Sequence, residues 1–247
     1  MIERELEDGT LTLRLAHGKA SAMDVELLEA LGAELDAAAG ARAVILTGTG
    51  GIFSAGVDLY RITGGGAAYV DRFVPLLSTF VRALFALPVP VVAAVNGHAI
   101  AGGGVMTLAA DYRIMAEGNG RIGVPELVVG VPFPAAPLEV VRFAVPRHRL
   151  QALVYTGATL APHDALAAGL LDEVVPPDAL LGRAREVAAQ LASLPPEVFR
   201  ATKQALRADA LARMDASAEY DRRAHALWSA PETHARIRAY MERVVRK

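Results

Sequence analysis

Three consecutive glycines in the middle of the chain, Gly102 to Gly104, could present backbone N–H groups to a ligand. They follow the β-branched run Val91 to Val95 and precede an apolar segment with helical character, Val105 to Ala110. Glycine permits a tight turn and a close approach to the main chain, and the start of a helix adds a partial positive charge. Such a turn suits a phosphate or an oxygen that becomes negative during a reaction. The alternative is a close-packed turn that binds nothing.

A second turn of the same kind lies upstream, after the apolar run Val44 to Thr47, which is typical of a buried strand. A glycine bend follows, and then Phe53 to Leu59, with Asp58 in the first turn of a predicted short helix. If the two turns converge, the N–H groups of Val57 and Gly103 could donate hydrogen bonds to one oxygen. Two such donors stabilise a transition state with a developing oxyanion.

Glu126 is the candidate base, because it follows Pro125 at a break between a predicted strand and a helix. The alternative is that its carboxylate only compensates the helix dipole. Of the six histidines only His98 adjoins the glycines, and we expect it to act indirectly or to face solvent. Ser54 lacks the spacing of a nucleophile elbow, which excludes a serine hydrolase. The glycine turns also lack the Lys-Ser/Thr ending of a phosphate-binding P-loop.

Composition excludes several classes of protein. The 247 residues suit one large domain, or one domain with an appended helical segment. A net charge of −2 with scattered basic residues does not indicate nucleic-acid binding. The absence of cysteine excludes disulfides, thiolate metal sites and thiol nucleophiles, and no histidine pattern predicts a metal site. No apolar run is long enough to span a membrane and the charged N-terminus does not resemble a signal peptide, so we predict a cytoplasmic protein.

The hydrophobic pattern predicts an α/β body over residues 1–194 and a helical C-terminal region over residues 195–247, with Pro195-Pro196 at the boundary. In the body we predict a flexible loop at Gly64–Gly66 between a short helix and a long one. We also predict strands at residues 10–16, 44–47, 91–95 and 112–116, a helix over 25–39 that Asp24 caps, a helix over 67–86 and an extended segment at 121–126. Beyond Pro132 helices dominate, three of them after Pro177, and Asp172 to Val175 is the only predicted strand.

Several stretches, in this order along the chain, resemble the crotonase (enoyl-CoA hydratase/isomerase) superfamily over nearly the full length. They are residues 21–24, 53–59, 96–104, 123–130, 165–175 and 240–243. The resemblance implies a ClpP/crotonase-like spiral of ββα units with a C-terminal helical trimerisation region, and a homotrimer or a dimer of trimers. It implies acyl-CoA thioester substrates, with no cofactor besides the coenzyme A of the substrate and no metal. It also implies that the N–H groups of Val57 and Gly103 form the oxyanion hole for the thioester enolate.

Two positions usually hold the acids that separate the activities of this superfamily. The position after the Gly102–Gly104 turn is glutamate in the hydratases and corresponds here to Met106, whereas the second acid corresponds to Glu126, which is retained. This combination is similar to the Δ3,Δ2-enoyl-CoA isomerases, as are the segments Asp111–Ile114 and Tyr240–Arg243. Hydration needs two groups, but a 1,3-proton shift needs only one carboxylate with a raised pKa. We expect Met106 to form part of the apolar wall around Glu126.

The resemblance also implies where the substrate binds. The predicted substrate and coenzyme A contacts are Ala55, Gly56, Val57, Asp58, Leu59, Gly102, Met106 and Tyr240, with Lys19 and Arg243 as candidates for the phosphates. We further expect the C-terminal helices to pack between subunits as well as onto their own body. Their apolar residues, such as Leu206, Leu211, Leu227, Trp228 and Ile237, are more than one small helical bundle needs to bury.

Two alternatives to an isomerase stay open. A hydratase would require a second acid from elsewhere, for example Glu139. A non-catalytic acyl-CoA-binding or RNA-binding member of the superfamily is the other alternative. A lysine-rich helix is expected of the RNA-binding relatives, whereas the helix after Asp24 is acidic. We therefore predict no nucleic-acid partner and no membrane partner.

Overall fold

Two β-sheets covered by helices form the body of the chain in the computed structural model, which describes residues 1–38 and 40–245. The strands are β1 Ile2–Glu7, β2 Thr10–Leu15, β3 Ala43–Thr47, β4 Ile52–Ser54, β5 Val91–Val95, β6 His98–Ile100, β7 Tyr112–Ala116, β8 Ile122–Gly123, β9 Thr159–Leu160 and β10 Glu173–Val175. The helices are α1 Val25–Ala38, α2 Leu59–Ala86, α3 Gly102–Ala109, α4 Glu126–Val129, α5 Ala135–Ala144, α6 Arg147–Thr156, α7 Pro162–Ala167, α8 Leu180–Ala192, α9 Pro196–Asp215, α10 Ala218–Ser229 and α11 Pro231–Val245, with a 3₁₀ turn at Pro177–Ala179.

The chain alternates between the two sheets in a repeated unit of two strands and a helix. The large sheet has the order β1-β2-β3-β5-β7-β10, and the small sheet has the order β4-β6-β8-β9. Each repeat therefore places one strand in each sheet and then a helix: β3-β4-α2, β5-β6-α3 and β7-β8-α4. This spiral of ββα units confirms the predicted fold class. Successive repeats bring the ends of β4, β6 and β8 to the same side of the molecule.

The centre of the large sheet is buried on both faces, as the continuous apolar runs predict. All five residues of β3 and all five of β5 are buried, and the two strands pair in parallel. Ile45 and Val92 face α8 on one side, whereas Val44 and Val91 belong to the main core on the other. Parallel strands covered on both faces need no polar alternation, which is why these runs are uniformly apolar.

The predicted glycine loop is instead a kink within one helix. Asp58 caps α2, since its Oδ1 accepts the N–H of Arg61 at 3.0 Å. The helix continues through Gly64 and Gly65, and only Gly66 leaves the helical region, with φ 62° and ψ −155°. The predicted short helix and the long helix after it are thus one element of 28 residues with a bend.

Four strands were not predicted from the sequence: β1, β4, β6 and β9. The β1–β2 hairpin turns at Asp8-Gly9, whose φ values of 49° and 79° fit the type I′ turn that Asp-Gly favours. The strands β4 and β6 have three residues each and β9 has two, so all three are too short to show a period. After Pro177 the structure has four α-helices rather than three.

A buried cluster of ion pairs connects the C-terminal helices to the body. Lys203 Nζ and Arg207 Nη2 of α9 lie 2.6 Å and 2.7 Å from the two carboxylate oxygens of Asp111, and both cations are almost fully buried. Asp111 Oδ2 also accepts the N–H of Val91, at 2.8 Å, so the cluster reaches the central sheet. The helix α9 begins at Pro196, and a separate C-terminal domain stays a prediction.

Candidate active site

An apolar cavity of about 80 Å³ lies where the two glycine turns meet the start of α4. Its wall also includes three positions of α2, the segment that joins α4 to α5, and one residue each of α10 and α11. The residues come from elements more than 180 positions apart along the chain, from Ala55 to Tyr240. The spiral of ββα units therefore brings both turns to one cavity, as the sequence analysis required.

The first turn is held by hydrogen bonds that leave one N–H group unused. Met23 donates its N–H to the Gly56 carbonyl at 2.7 Å and accepts the N–H of Asp58 at 2.9 Å. These bonds hold the residues before and after Val57 in place. The N–H of Val57 itself has no acceptor among the described residues. Gly56 has φ 83°, a conformation that favours glycine. A free N–H in a cavity wall is able to bind an oxygen of a ligand.

The second turn differs in detail from the expected one. The residue with positive φ is Ala101, at φ 51° and ψ −118°, directly before α3. Such a value is uncommon for a residue other than glycine and indicates local strain. The glycines are required by close packing, since a Cβ on Gly103 would lie 2.4 Å from the Ser54 carbonyl oxygen. The N–H groups of Gly102 and Gly103, the first of α3, have no acceptor among the described residues.

The face that α3 turns to the cavity is shifted by one residue from the predicted one. Gly102 and Val105 line the cavity, and residues three apart lie on the same side of a helix. Gly103 is not part of the wall, and Met106 is fully buried in the main core. Val105 rather than Met106 lines the cavity, and a contribution of Met106 to the apolar surroundings of Glu126 stays a prediction. Gly102 and Gly103 are both candidate N–H donors.

Glu126 carries the one carboxyl group of the cavity wall among the described residues. It begins α4 directly after Pro125 and is 9% exposed, and its Oε2 is buried without a hydrogen-bond partner in the described part of the chain. Burial raises the pKa of Glu126 to about 8, and a hydrogen bond from its own backbone lowers that pKa to a smaller extent. A carboxyl group with such a pKa can both take up and release a proton near neutral pH.

The other predicted substrate contacts divide into two groups. Those that line the cavity are Ala55, Val57, Leu59, Gly102 and Tyr240. Gly56 and Asp58 do not line it: Gly56 is buried in the turn, and the side chain of Asp58 caps α2. Both thus support the turn that carries Val57.

The two cations predicted to bind phosphates do not line the cavity. Lys19 is exposed and precedes Ala20, whose carbonyl accepts the N–H of Ala55 at 3.0 Å. The guanidinium carbon of Arg243 lies 5.5 Å from the ring centre of Tyr240. Arg243 is thus in contact with a residue of the cavity wall, whereas Lys19 is connected to the wall only through the backbone of Ala20.

Two further candidates from the sequence are not in the wall. Glu139, the possible second acid, is 4% exposed and forms ion pairs with Arg213 at 2.6 Å and Arg142 at 2.7 Å. Its carboxylate faces these partners and does not line the cavity, so it is poorly placed to act on a ligand there. His98 lies in β6, half-buried and outside the cavity wall. In the described part of the chain, no cluster of His, Asp or Glu could hold a metal ion.

Sequence reasoning missed the apolar residues that close the cavity. Leu77, Val81, Phe133 and Trp228 all line it and are almost fully buried. The indole N–H of Trp228 donates to the Pro132 carbonyl at 2.8 Å. From the sequence, Trp228 was only one of the apolar residues of the C-terminal helices, because an apolar residue on a helix does not show which surface covers it.

The likeness to known proteins covers nearly all of the chain. The family model described as enoyl-CoA hydratase/isomerase matches residues 9–246. A protein of Thermus thermophilus whose name assigns it to the enoyl-CoA hydratases is 38% identical over 190 residues, which are 75% of this chain and 74% of that protein. Enoyl-CoA delta isomerase 1 of Rattus norvegicus mitochondria is 29% identical over 212 residues, 84% of this chain and 73% of that protein.

The fold of the C-terminal helices is shared as well. The crystal structure of human mitochondrial delta3-delta2-enoyl-CoA isomerase has a TM-score of 0.94 to this chain, covers 99% of it and 98% of the human chain, and is 24% identical.

The chain belongs to the enoyl-CoA hydratase/isomerase family and is an enzyme of the crotonase superfamily. Its relatives carry both activities in their names. No helix in the described ranges has the length and hydropathy needed to cross a membrane.

Proposed function

We propose that this enzyme moves the double bond of a 3-enoyl-CoA to the 2-position by a 1,3-proton transfer. The N–H groups of Val57 and Gly102, with Gly103 as the next donor in the turn, bind the thioester oxygen. Glu126 takes a proton from C2, and the electron pair of that C–H bond moves into the thioester to form an enolate. The same carboxyl group then delivers its proton to C4 while the C3–C4 double bond becomes a C2–C3 double bond. The proton balance closes without water or a redox partner.

The observation that supports an isomerase is the single carboxyl group in an apolar wall. Hydration of a 2-enoyl thioester needs one group to activate water and a second to protonate C2. Val105 lines the cavity beside Glu126 and offers no proton, and Glu139 is held in ion pairs elsewhere. The name of the rat relative agrees with this proposal. A hydratase is the second candidate, since the Thermus thermophilus relative carries that name.

Separate incubations with 3-enoyl-CoA and 2-enoyl-CoA test the proposal, with products separated by chromatography and weighed by mass spectrometry. We expect 3-enoyl-CoA to yield 2-enoyl-CoA of unchanged mass, and 2-enoyl-CoA to gain no water. A product of 2-enoyl-CoA that is heavier by one water, without any double-bond shift in 3-enoyl-CoA, would establish the hydratase instead.

The pH dependence tests the role of Glu126. Since burial raises its pKa from 4.5 to about 8 and the base must be ionised, we expect kcat/KM to rise with pH and to level off above about pH 8. The free energy of unfolding should fall over the same range, because the folded protein retains a proton that the unfolded chain releases. Urea unfolding at about pH 5 and about pH 9 measures that slope, which Glu126→Gln removes. A kcat/KM that does not change with pH would contradict the assignment.

We also propose that Lys19 and Arg243 bind the phosphates of coenzyme A. Arg243→Ala and Lys19→Ala should each raise KM for the acyl-CoA several-fold and leave kcat nearly unchanged, because the phosphates are remote from the reacting carbons. Arg238→Ala, on another side of the same helix, is the matched control. Equal KM values for the wild type and for a variant that carries both Lys19→Ala and Arg243→Ala would exclude this role.

For the assembly we propose a homotrimer or a dimer of trimers, with contacts through the C-terminal helices. Of the apolar residues of these helices, Trp228 and Ile237 are buried within the chain itself and are not available for a subunit contact. Val198, Leu206 and Leu227 remain 62%, 69% and 53% exposed and support the proposal. Light scattering at micromolar concentration should give a multiple of three chains, and Leu206→Glu should lower the mass. A monodisperse monomer would overturn the proposal.

A further inference from the structure

The cavity has an open end and a buried end. Ala55 and Tyr240 are exposed and half-buried, respectively, whereas Trp228, Phe133 and Val81 are 2%, 3% and 1% exposed. The free N–H groups that would bind the thioester belong to the two turns near the open end. An acyl chain attached to that thioester must therefore extend toward Trp228.

The volume of the cavity limits the length of that chain. The cavity measures about 80 Å³. An apolar cavity of about 150 Å³ holds benzene, which has six carbon atoms. The space here thus suits the acyl group of a short thioester, and a longer chain needs either displacement of the wall or a second exit.

Hydrogen bonds hold the residues at the buried end of the cavity in place. The indole N–H of Trp228 donates to the Pro132 carbonyl at 2.8 Å, and His234 Nε2 lies 2.9 Å from the carbonyl oxygen of Trp228. The neighbouring wall is held in the same way, since Tyr220 donates its hydroxyl to the Phe133 carbonyl at 2.8 Å. Rotation of the indole would break this half-buried hydrogen bond and leave the indole N–H without a partner, which is costly.

We propose that Trp228 sets the chain-length limit of this enzyme, and that its substrates are short-chain enoyl thioesters. This inference rests on the proposed function, in that the acyl group occupies the cavity beside Glu126. Trp228 acts here as a specificity-determining residue that α10 of the same chain supplies to the cavity.

Calorimetric binding of butyryl-, hexanoyl-, octanoyl- and decanoyl-CoA tests the limit without any turnover. We expect wild-type affinity to be highest for the two shorter thioesters and to fall by about tenfold or more between hexanoyl- and decanoyl-CoA. Trp228→Leu should restore most of the affinity for decanoyl-CoA, whereas Trp228→Phe, which keeps an aromatic wall, should restore little. Phe143→Leu, outside the cavity, is the matched control and should keep the wild-type ranking.

A second variant covers the case in which Trp228→Leu does not fold. Val81→Ala enlarges the same buried end from α2 and should also shift the affinity toward octanoyl-CoA. Equal affinity of the wild type for all four thioesters, or an unchanged ranking in both enlarged variants, would overturn the chain-length limit. Failure of the proposed isomerisation gives a different result: the ranking holds, but no 3-enoyl-CoA of any length shifts its double bond.

Discussion

Replacing Glu126 with Gln should lower the rate of the double-bond shift by about two orders of magnitude or more. The substitution keeps the size and polarity of the side chain and removes the group that moves the proton. Binding of a saturated acyl-CoA should survive, because the proposed oxyanion donors are backbone N–H groups that the substitution does not touch. Stopped-assay rates with 3-enoyl-CoA and calorimetry with butyryl-CoA measure the two effects separately.

Glu139→Gln is the matched control for this substitution. Glu139 is also buried, but its carboxylate pairs with Arg213 and Arg142 rather than facing the cavity. Its replacement should cost some stability, since a buried side chain loses its ion pairs with two half-exposed arginines, and should change the rate of isomerisation little. If Glu126→Gln kept near-full activity, or if Glu139→Gln lost as much as Glu126→Gln, the base would have to be another group.

Gly103→Ala should impair both stability and catalysis through the backbone alone. The added Cβ would lie 2.4 Å from the Ser54 carbonyl oxygen, so α3 must move away from β4. Overpacking of this kind costs about 1 to 3 kcal/mol, measured as the free energy of unfolding in urea. Because α3 also carries the Gly102 N–H, a displacement of about 1 Å should reduce kcat/KM by about a hundredfold.

Gly32→Ala distinguishes this effect from a general intolerance of alanine. Gly32 lies in α1, and a Cβ there would meet no heavy atom within 4 Å. Alanine at this place should stabilise the protein by about 0.5 to 1 kcal/mol and leave kcat/KM unchanged. Wild-type kcat/KM in Gly103→Ala would mean that the position of α3 is not critical for the reaction.

Local patterns were sufficient to predict most of the elements. The apolar runs predicted β3 and β5 to within one residue, and Asp24 caps α1 as expected, with its Oδ1 accepting the Leu27 N–H at 2.8 Å. The β1–β2 hairpin was missed although its Asp8-Gly9 signal is present, because the charged strand before it lacks an alternating apolar face. The glycine triplet at 64–66 was assigned to a loop because glycine has a low helix propensity. In the structure the helix continues through Gly64 and Gly65, since Asp58 caps its start and α2 packs against the core.

For the site, the sequence by itself identified the glycine turns, Glu126 as the candidate acid and the superfamily, because these features depend on residue type and short spacing. The tertiary structure decided which side of α3 meets the cavity, and Gly102 and Val105 lie on that side. A shift of one residue turns a helix by about 100°, so only the packing of α3 against β4 settles its orientation. The structure likewise decided that Trp228 closes the cavity, since that contact joins elements 96 residues apart and leaves no local trace in the sequence.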